Sequence, residues 1–183
     1  EYILFVDSDD WVLGDGLASL FRTGVESQAE VVMGEIRFCD QEGNPGALFN
    51  PVKGMRPKVL LGREGFVGLM RDGSYLPTPV RFVCRREFLR MIGVGFAEGI
   101  MHEDELWTPI VLCQAERLAI TCTEFYRYRQ DDSSVMHTTK WSRRLRSLFR
   151  VVDGLAQFAD RWSFDGEERE LKSWWYANLF RLY

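Results

Sequence analysis

Short apolar runs alternate with amphipathic stretches along this chain, and that order predicts an α/β protein. Residues 2–6 form an apolar run that is short and rich in Ile, Phe and Val, as in a buried strand. Further strands are predicted at 30–38, 80–84, 118–123 and 125–129. The weak pattern at 47–61 predicts a loop with at most one short strand.

Apolar residues at helical spacing predict helices between and after these strands. We expect them at 16–27, 63–70, 85–91 and 103–114, and two more within 140–183 that divide near 163–166. Asp15 is expected to cap the first helix, and Pro109 to kink or limit the fourth. A chain of 183 residues is long enough for one domain with a real core.

Composition and charge narrow the classes of function. The chain is 46% hydrophobic and 27% charged, which is typical of a soluble globular protein. Its net charge of −4 argues against a general nucleic-acid binder. The four cysteines show no C-x-x-C spacing, so we expect free thiols in the reducing cytoplasm rather than a zinc site or disulfides.

Three carboxylates follow the first strand, at Asp7, Asp9 and Asp10. Asp7 is expected at the carboxyl end of that strand, where open α/β sheets bind ligands. Carboxylates this close repel one another unless a cation lies between them, and oxygen ligands suit Mg²⁺ or Mn²⁺ bound together with substrate phosphates. The alternative is an acidic turn in which Asp10 or Asp15 only caps the next helix.

A second acidic cluster occupies 102–105, between a glycine-rich loop at 93–99 and the fourth predicted helix. A carboxylate in this position could act as a general base toward a substrate hydroxyl. Acids at a helix N-terminus also stabilise the helix through its dipole, so a purely structural role is the alternative.

Together these motifs resemble the family 2 glycosyltransferases with the GT-A fold, in particular bacterial enzymes that build capsular, exopolysaccharide or lipopolysaccharide sugars. The resemblance rests on the acids and Trp at 7–11, the motif at 103–107 and the segment at 126–136, and it covers about 1–139. It implies a mixed sheet flanked by helices over 1–139 and a C-terminal helical extension over 140–183. Family members begin with a nucleobase-binding β-α-β unit without a counterpart here, so we expect a longer parent protein.

The resemblance implies a metal-dependent, inverting transfer of sugar from a nucleotide-sugar, by default a UDP-sugar, to a saccharide or lipid-linked acceptor in cell-surface polysaccharide synthesis. Asp7 would lie near the ribose or sugar, and Asp9 would hold Mn²⁺ or Mg²⁺ bridging the diphosphate. Asp104, beside Glu103, would be the general base that takes the proton of the acceptor hydroxyl.

The resemblance implies roles for four more residues. Arg127, Arg129 and His137 lie where such enzymes close a loop on the diphosphate, and His137 could bind the metal. Trp107 would help to form the acceptor pocket. Each also has an ordinary alternative, which is a core position for Trp107 and a surface position for the other three.

The basic stretch at 140–150 has apolar residues at helical spacing and four arginines. One hypothesis is peripheral contact with anionic lipid at the inner face of the membrane. The alternative is a helix packed on the domain with a solvated basic face. The expected absence of upstream strands also suggests a homodimer through an open sheet edge.

Two alternatives from other functional classes stay open. A haloacid-dehalogenase-like phosphohydrolase would use Asp7 as nucleophile and Asp9 as acid/base, but Trp11 stands where that pattern has Thr or Val. A fragment or binding module without catalytic activity is the other alternative.

Overall fold

The computed structural model describes residues 1–53, 58–130 and 141–161, which form a mixed β-sheet with helices packed on it. The strands in these ranges are β1 (Tyr2–Leu4), β2 (Trp11–Val12), β3 (Val31–Cys39), β4 (Pro45–Leu48), β5 (Lys58–Leu60), β6 (Phe82–Arg85) and β7 (Leu118–Arg129). The α-helices are α1 (Gly14–Ser27), α2 (Gly62–Arg71), α3 (Arg86–Ile92), α4 (Asp104–Gln114) and α5 (Trp141–Arg161), and a 3₁₀ turn spans Pro79–Arg81.

The sheet is organised around its two longest strands, β3 and β7, which pair in parallel. The strand order is β1-β6-β3-β7-β2, with β4 pairing β3 and β5 pairing β7. All pairings other than that of β3 with β7 are antiparallel. Among the described strands, β1 pairs only with β6 and so forms one edge of the sheet.

Both faces of β3 are buried, which explains why its first six residues read as a nearly continuous apolar run. Val31 and Met33 pack on one side with residues of α2, α4 and α5, whereas Val32 packs on the other side with residues of α1. Successive residues of a strand point to opposite faces, so each face of β3 contributes to a separate core.

A buried ion pair joins β3 to the loops on one side of the sheet. Arg81 is fully buried, and its Nη2 lies 2.9 Å from Oε2 of Glu35. The same guanidinium donates to the carbonyls of Gly34 and Ser74, at 3.2 Å and 2.9 Å. Glu35 also accepts the N–H of Val52 at 3.0 Å. Two loops and the 3₁₀ turn are therefore tied to the centre of the sheet.

Two predicted elements differ from the structure, each for an identifiable reason. The strands predicted at 118–123 and 125–129 are one continuous strand, β7, because its register against β3 shifts beside Glu35 and absorbs the extra residues. The stretch at 47–61 lies across two short strands, β4 and β5, because β3 and β7 offer them pairing edges. Helix α4 ends at Gln114 as predicted, so Pro109 inside it does not limit its length.

The predicted helix cap is also wrong. Helix α1 begins at Gly14, its N-cap is Leu13 without a side-chain hydrogen bond, and Asp15 lies in the first turn. Asp10 does not cap α1 either, because its carboxylate accepts the backbone N–H of Arg129. The predicted helix break near 163–166 lies outside the described residues.

No helix in the part of the chain that the structure describes combines the length and the apolar character needed to cross a membrane. None of the four cysteines, all of which lie in the described ranges, forms a disulfide, and Cys122 alone of the four is exposed. The predicted division of the chain between 139 and 140 lies within an undescribed range and stays a prediction.

Replacing Arg81 with methionine would leave the carboxylate of Glu35 buried without its cation. We expect Arg81→Met to lower the free energy of unfolding by about 3–5 kcal/mol, as measured by urea denaturation. The control is Arg90→Met, at an exposed arginine of α3, which should change stability by less than about 0.5 kcal/mol. Equal losses in the two variants would contradict the role given to the ion pair.

Candidate functional site

A cavity of about 690 Å³ brings the two acidic motifs of the sequence together. Asp7, from the loop after β1, lines it together with Glu103 and Asp104 at the start of α4. The remaining lining residues are Phe5, Val6, Thr78, Pro79, Val80, Phe96, Ile100, Met101 and His102. The cavity therefore combines carboxylates with a largely apolar wall, which is a common composition for a small-molecule site.

The first acidic motif is a turn between β1 and β2 that β7 holds in place. The N–H of Asp10 donates to the carbonyl of Asp7 at 3.1 Å. The N–H of Asp7 donates to Oη of Tyr126 at 3.0 Å, and the N–H of Arg129 donates to Oδ1 of Asp10 at 2.8 Å. Because Tyr126 is fully buried, it anchors the turn to the core.

Asp9 lies in the same turn but does not line the cavity. Its Oδ2 is 3.6 Å from Nη2 of Arg129, in a partly exposed pair. Arg127 is engaged elsewhere: its Nε lies 2.8 Å from Oε1 of Glu124, whose other oxygen accepts Nε of Arg37 at 2.6 Å. The side chain of Arg129 thus pairs with the acidic turn, whereas that of Arg127 pairs with Glu124 on its own strand; the donor-binding roles of both stay predictions.

Burial and neighbouring acids raise the pKa of two cavity carboxyls, Asp7 and Asp104. Burial raises the pKa of Asp7, and the charges of Asp9 and Glu103 raise it further. Burial, and then the charge of Glu103, raise the pKa of Asp104 to about 6. Asp104 is therefore ionised above about pH 6 and is a stronger base than a solvated aspartate, as a general base requires.

His102 lines the cavity two residues before the start of α4. Its backbone is in the left-handed region, with φ of 59°, which is uncommon for a non-glycine residue and marks a sharp turn into the helix. Burial and the nearby Arg144 lower the pKa of His102, although Glu103 opposes the shift. Its imidazole is therefore neutral at pH 7.

Glu105, the acid that follows Asp104 in α4, lies outside the cavity. Its side chain is buried and does not line the cavity, unlike Glu103 and Asp104. Burial, with a contribution from the charge of Asp104, raises the pKa of Glu105 to about 8. Of the three consecutive acids, two belong to the candidate site and the third belongs to the core.

Trp107 lies behind the cavity wall rather than on it. It is 2% exposed, its ring stacks on Phe96 at 5.0 Å, and it meets the edge of Phe5 at 5.3 Å. Phe5 and Phe96 line the cavity, so any effect of Trp107 on an acceptor passes through these two rings. Its acceptor-pocket role stays a prediction.

Several lining residues carried no signal in the sequence. Phe5 and Phe96 belong to an apolar run and a glycine-rich loop, and nothing local predicts that they meet. The wall at Thr78–Val80 lies where the prolines at 77 and 79 indicate a rigid turn before the strand predicted at 80–84. That turn is attached to α4 because the hydroxyl of Thr108 donates to the carbonyl of Pro77.

The carboxylates suit a divalent cation only with ligands from a substrate. Within ranges 1–53, 58–130 and 141–161, no three or more His, Cys, Asp and Glu side chains are grouped to hold a metal ion. Asp9 raises the pKa of Asp7, so a cation beside them would relieve repulsion, and Mg²⁺ commonly uses one or two carboxylates plus phosphate oxygens. His137 lies outside the described residues.

Sequence comparison links the chain to glycosyltransferases. No protein-family profile matches it. It is 24% identical over 136 residues to the uncharacterized glycosyltransferase YibD of Escherichia coli (strain K12), an alignment that covers 74% of this chain and 40% of that protein. It is 24% identical over 129 residues to a poly(ribitol-phosphate) beta-glucosyltransferase of Bacillus spizizenii, covering 70% of this chain and 19% of that protein.

Structural comparison confirms the fold class. TarS 1-349 of S. aureus in complex with UDP-GlcNAc matches 93% of this chain with a TM-score of 0.63 at 18% identity. The UDP complex of the same protein matches 93% with a TM-score of 0.64 at 19% identity. The chain covers 45% and 43% of these two structures, and so spans less than half the length of each relative and structure named here.

The buried Glu105 makes stability depend on pH. The folded chain keeps this proton up to about pH 8, whereas a solvated glutamic acid releases it near 4.5, so stability falls as the pH rises between these values. Glu105→Gln mimics the protonated acid. We expect it to exceed wild type in stability by up to about 5 kcal/mol near pH 9 and to match it near pH 4, measured by urea denaturation.

The matched control for this prediction is Glu98→Gln, at an exposed position of the loop before α4. It should change stability little at either pH. A Glu105→Gln variant that gains no stability at alkaline pH would show that the carboxyl is ionised without cost in the folded chain.

Proposed function

We propose that this chain is a catalytic portion of an enzyme that transfers sugar from a nucleotide-sugar to a saccharide or lipid-linked acceptor. The chain is related to glycosyltransferases in sequence and shares their fold. One observation carries the proposal: a single cavity unites Asp7 of the turn after β1 with Glu103 and Asp104 of α4. A transferase of this kind needs a donor-binding acid and a general base beside one reacting centre.

The donor is assigned to the side of the cavity formed by the acidic turn. The related TarS was solved with UDP-GlcNAc and with UDP, which supports a UDP-sugar as the donor here. Asp7 would bind the ribose or sugar, and Arg129 lies beside the turn where its guanidinium can reach a phosphate oxygen. Asp9 would hold Mn²⁺ or Mg²⁺, which, when bound, offsets charge on the leaving nucleoside diphosphate.

Asp104 is assigned as the general base. It would accept the proton of the acceptor hydroxyl while that oxygen bonds to the anomeric carbon and the bond from that carbon to the diphosphate breaks, which inverts the configuration. The pKa of about 6 supports this role, because the carboxylate is ionised at neutral pH yet basic enough to accept a proton. Glu103 contributes by raising that pKa through its charge.

The acceptor is assigned by class alone. One relative is named for glucosylating poly(ribitol-phosphate), which supports a cell-surface polymer or its lipid-linked precursor as the acceptor of this family 2 enzyme. The apolar wall at Phe5 and Phe96 offers a face on which a sugar ring can stack.

Two substitutions separate donor binding from transfer in the full-length protein. We expect Asp9→Asn to abolish Mn²⁺-dependent binding of UDP-sugars, measured by calorimetry, because it removes the carboxylate assigned to the metal. Asp104→Asn should keep that binding and lower transfer on the order of 100-fold or more.

The control for both variants is Glu98→Gln, which changes an exposed carboxylate outside the cavity and should keep binding and transfer. Full transfer by Asp104→Asn would remove Asp104 from the role of base. Donor binding that ignores both Mn²⁺ and Asp9 would contradict the metal assignment.

The pH dependence of transfer tests the base independently. Because the base must be ionised, kcat/KM should rise with pH through about 6 and then level off. The residual activity of Asp104→Asn should lack this step. A profile that keeps the step in the variant would assign it to another group.

The two alternatives predict different results in the same preparation. Hydrolysis of an aryl phosphate that disappears in Asp7→Asn would favour the phosphohydrolase. An absence of both donor binding and hydrolysis in the full-length protein would favour a binding module without catalysis.

A further inference from the structure

Helix α5 has one face in the core and another that carries exposed aromatic rings. Three buried side chains of its inner face belong to the same core as residues of α2 and α4, namely Leu148, Val151 and Leu155. Ala159 is also buried and lies on the same face of the helix. Phe149, by contrast, is 70% exposed, and Trp141 at the start of the helix is 54% exposed. Large exposed aromatics on a helix that already has a complete buried face are more typical of a contact surface than of folding.

The first half of α5 is positively charged, whereas the chain as a whole is negatively charged. Residues 141–150 contain four arginines and no acid, whereas the whole chain has a net charge of −4. Arg146 and Arg150 are exposed on the side that carries Phe149. The pattern ends one turn later, where exposed Asp153 accepts a hydrogen bond from Gln157 at 2.9 Å.

We propose that Trp141, Arg146, Phe149 and Arg150, here called the basic aromatic face, bind the surface of membranes that contain anionic lipid. Exposed arginines gain Coulomb energy near lipid phosphates and carboxylates, and Trp and Phe rings insert at the boundary between headgroups and acyl chains. Charge complementarity singles out this occupant, because an acidic chain would otherwise be repelled by an anionic surface. The acids that follow Arg150 limit the contact to the first half of α5.

This contact would bring the candidate site close to the lipid. On the inner side of α5, the hydroxyl of Ser147 accepts the N–H of Met101 at 2.9 Å, and Met101 lines the cavity. Arg144 lies close enough to His102, another lining residue, to lower the pKa of that imidazole. Membrane binding itself requires no catalytic activity; only its use for presenting a lipid-linked acceptor rests on the proposed function.

Vesicle binding tests the proposal without an activity assay. The full chain is sedimented with phosphatidylcholine vesicles that contain or lack phosphatidylglycerol, at low and at physiological salt. We expect binding only to the anionic vesicles and weaker binding at higher salt. The double variant R146Q/R150Q should bind roughly 25-fold more weakly, about fivefold for each arginine near an anionic surface.

Two further variants make the result specific to this face. Phe149→Ser should weaken binding several-fold, because it removes the inserted ring and keeps the charge. The matched control is R90Q/M91S on α3, which also changes an exposed arginine and an adjacent exposed apolar side chain, 74% exposed at Met91, and should bind like wild type.

All these side chains are exposed, and thermal unfolding followed by circular dichroism verifies that each variant is folded. No binding to anionic vesicles at low salt would overturn the proposal. Equal binding to neutral vesicles, or equal losses in R146Q/R150Q and in R90Q/M91S, would overturn it as well.

Discussion

The buried ion pair between Arg81 and Glu35 is the constraint on which the candidate site depends. Charges this deep in a protein are tolerated only when their hydrogen-bonding groups are satisfied, and here the guanidinium reaches Glu35 and two backbone carbonyls. Arg81 ends the 3₁₀ turn whose preceding residues form one wall of the cavity. An apolar residue in its place would pack, but it would not hold that turn against the centre of β3.

The opposite wall depends on α4, which combines two roles. Its apolar residues, including the buried Trp107, belong to the core, while its first residues present Glu103 and Asp104 to the cavity. The cost of this arrangement appears as raised pKa values for Asp104 and for the buried Glu105. Crowded acids destabilise the folded state at neutral pH, and such costs are commonly retained where chemistry uses them.

The fold class, the long strand β3 and the positions of most helices follow from patterns that are local in sequence, because burial of one or both faces sets their apolar periodicity. The structure differs from these predictions where pairing between strands, and not the local apolar pattern, determines where an element begins or ends. Thr121–Glu124 interrupt the apolar run at 118–129, yet β7 continues through them because β3 shifts register beside Glu35. Asp15 has the chemistry of a helix cap, but Leu13 takes that place because its N–H pairs with Phe125 of β7.

The residue types of the site were evident in the chain from the start: carboxylates after a strand and at the head of a helix can bind cations or accept protons wherever they lie. Their proximity depends on contacts distant in sequence, such as the Tyr126 hydroxyl that holds Asp7 and the Thr108 hydroxyl that holds the turn at Pro77. The basicity of Asp104 arises mainly from burial, which tertiary packing supplies, and only the smaller contribution of Glu103 comes from a sequence neighbour. Sequence determines which groups are available for chemistry; tertiary packing decides which of them meet and how strongly each holds its proton, because desolvation and Coulomb energy depend on distance in space.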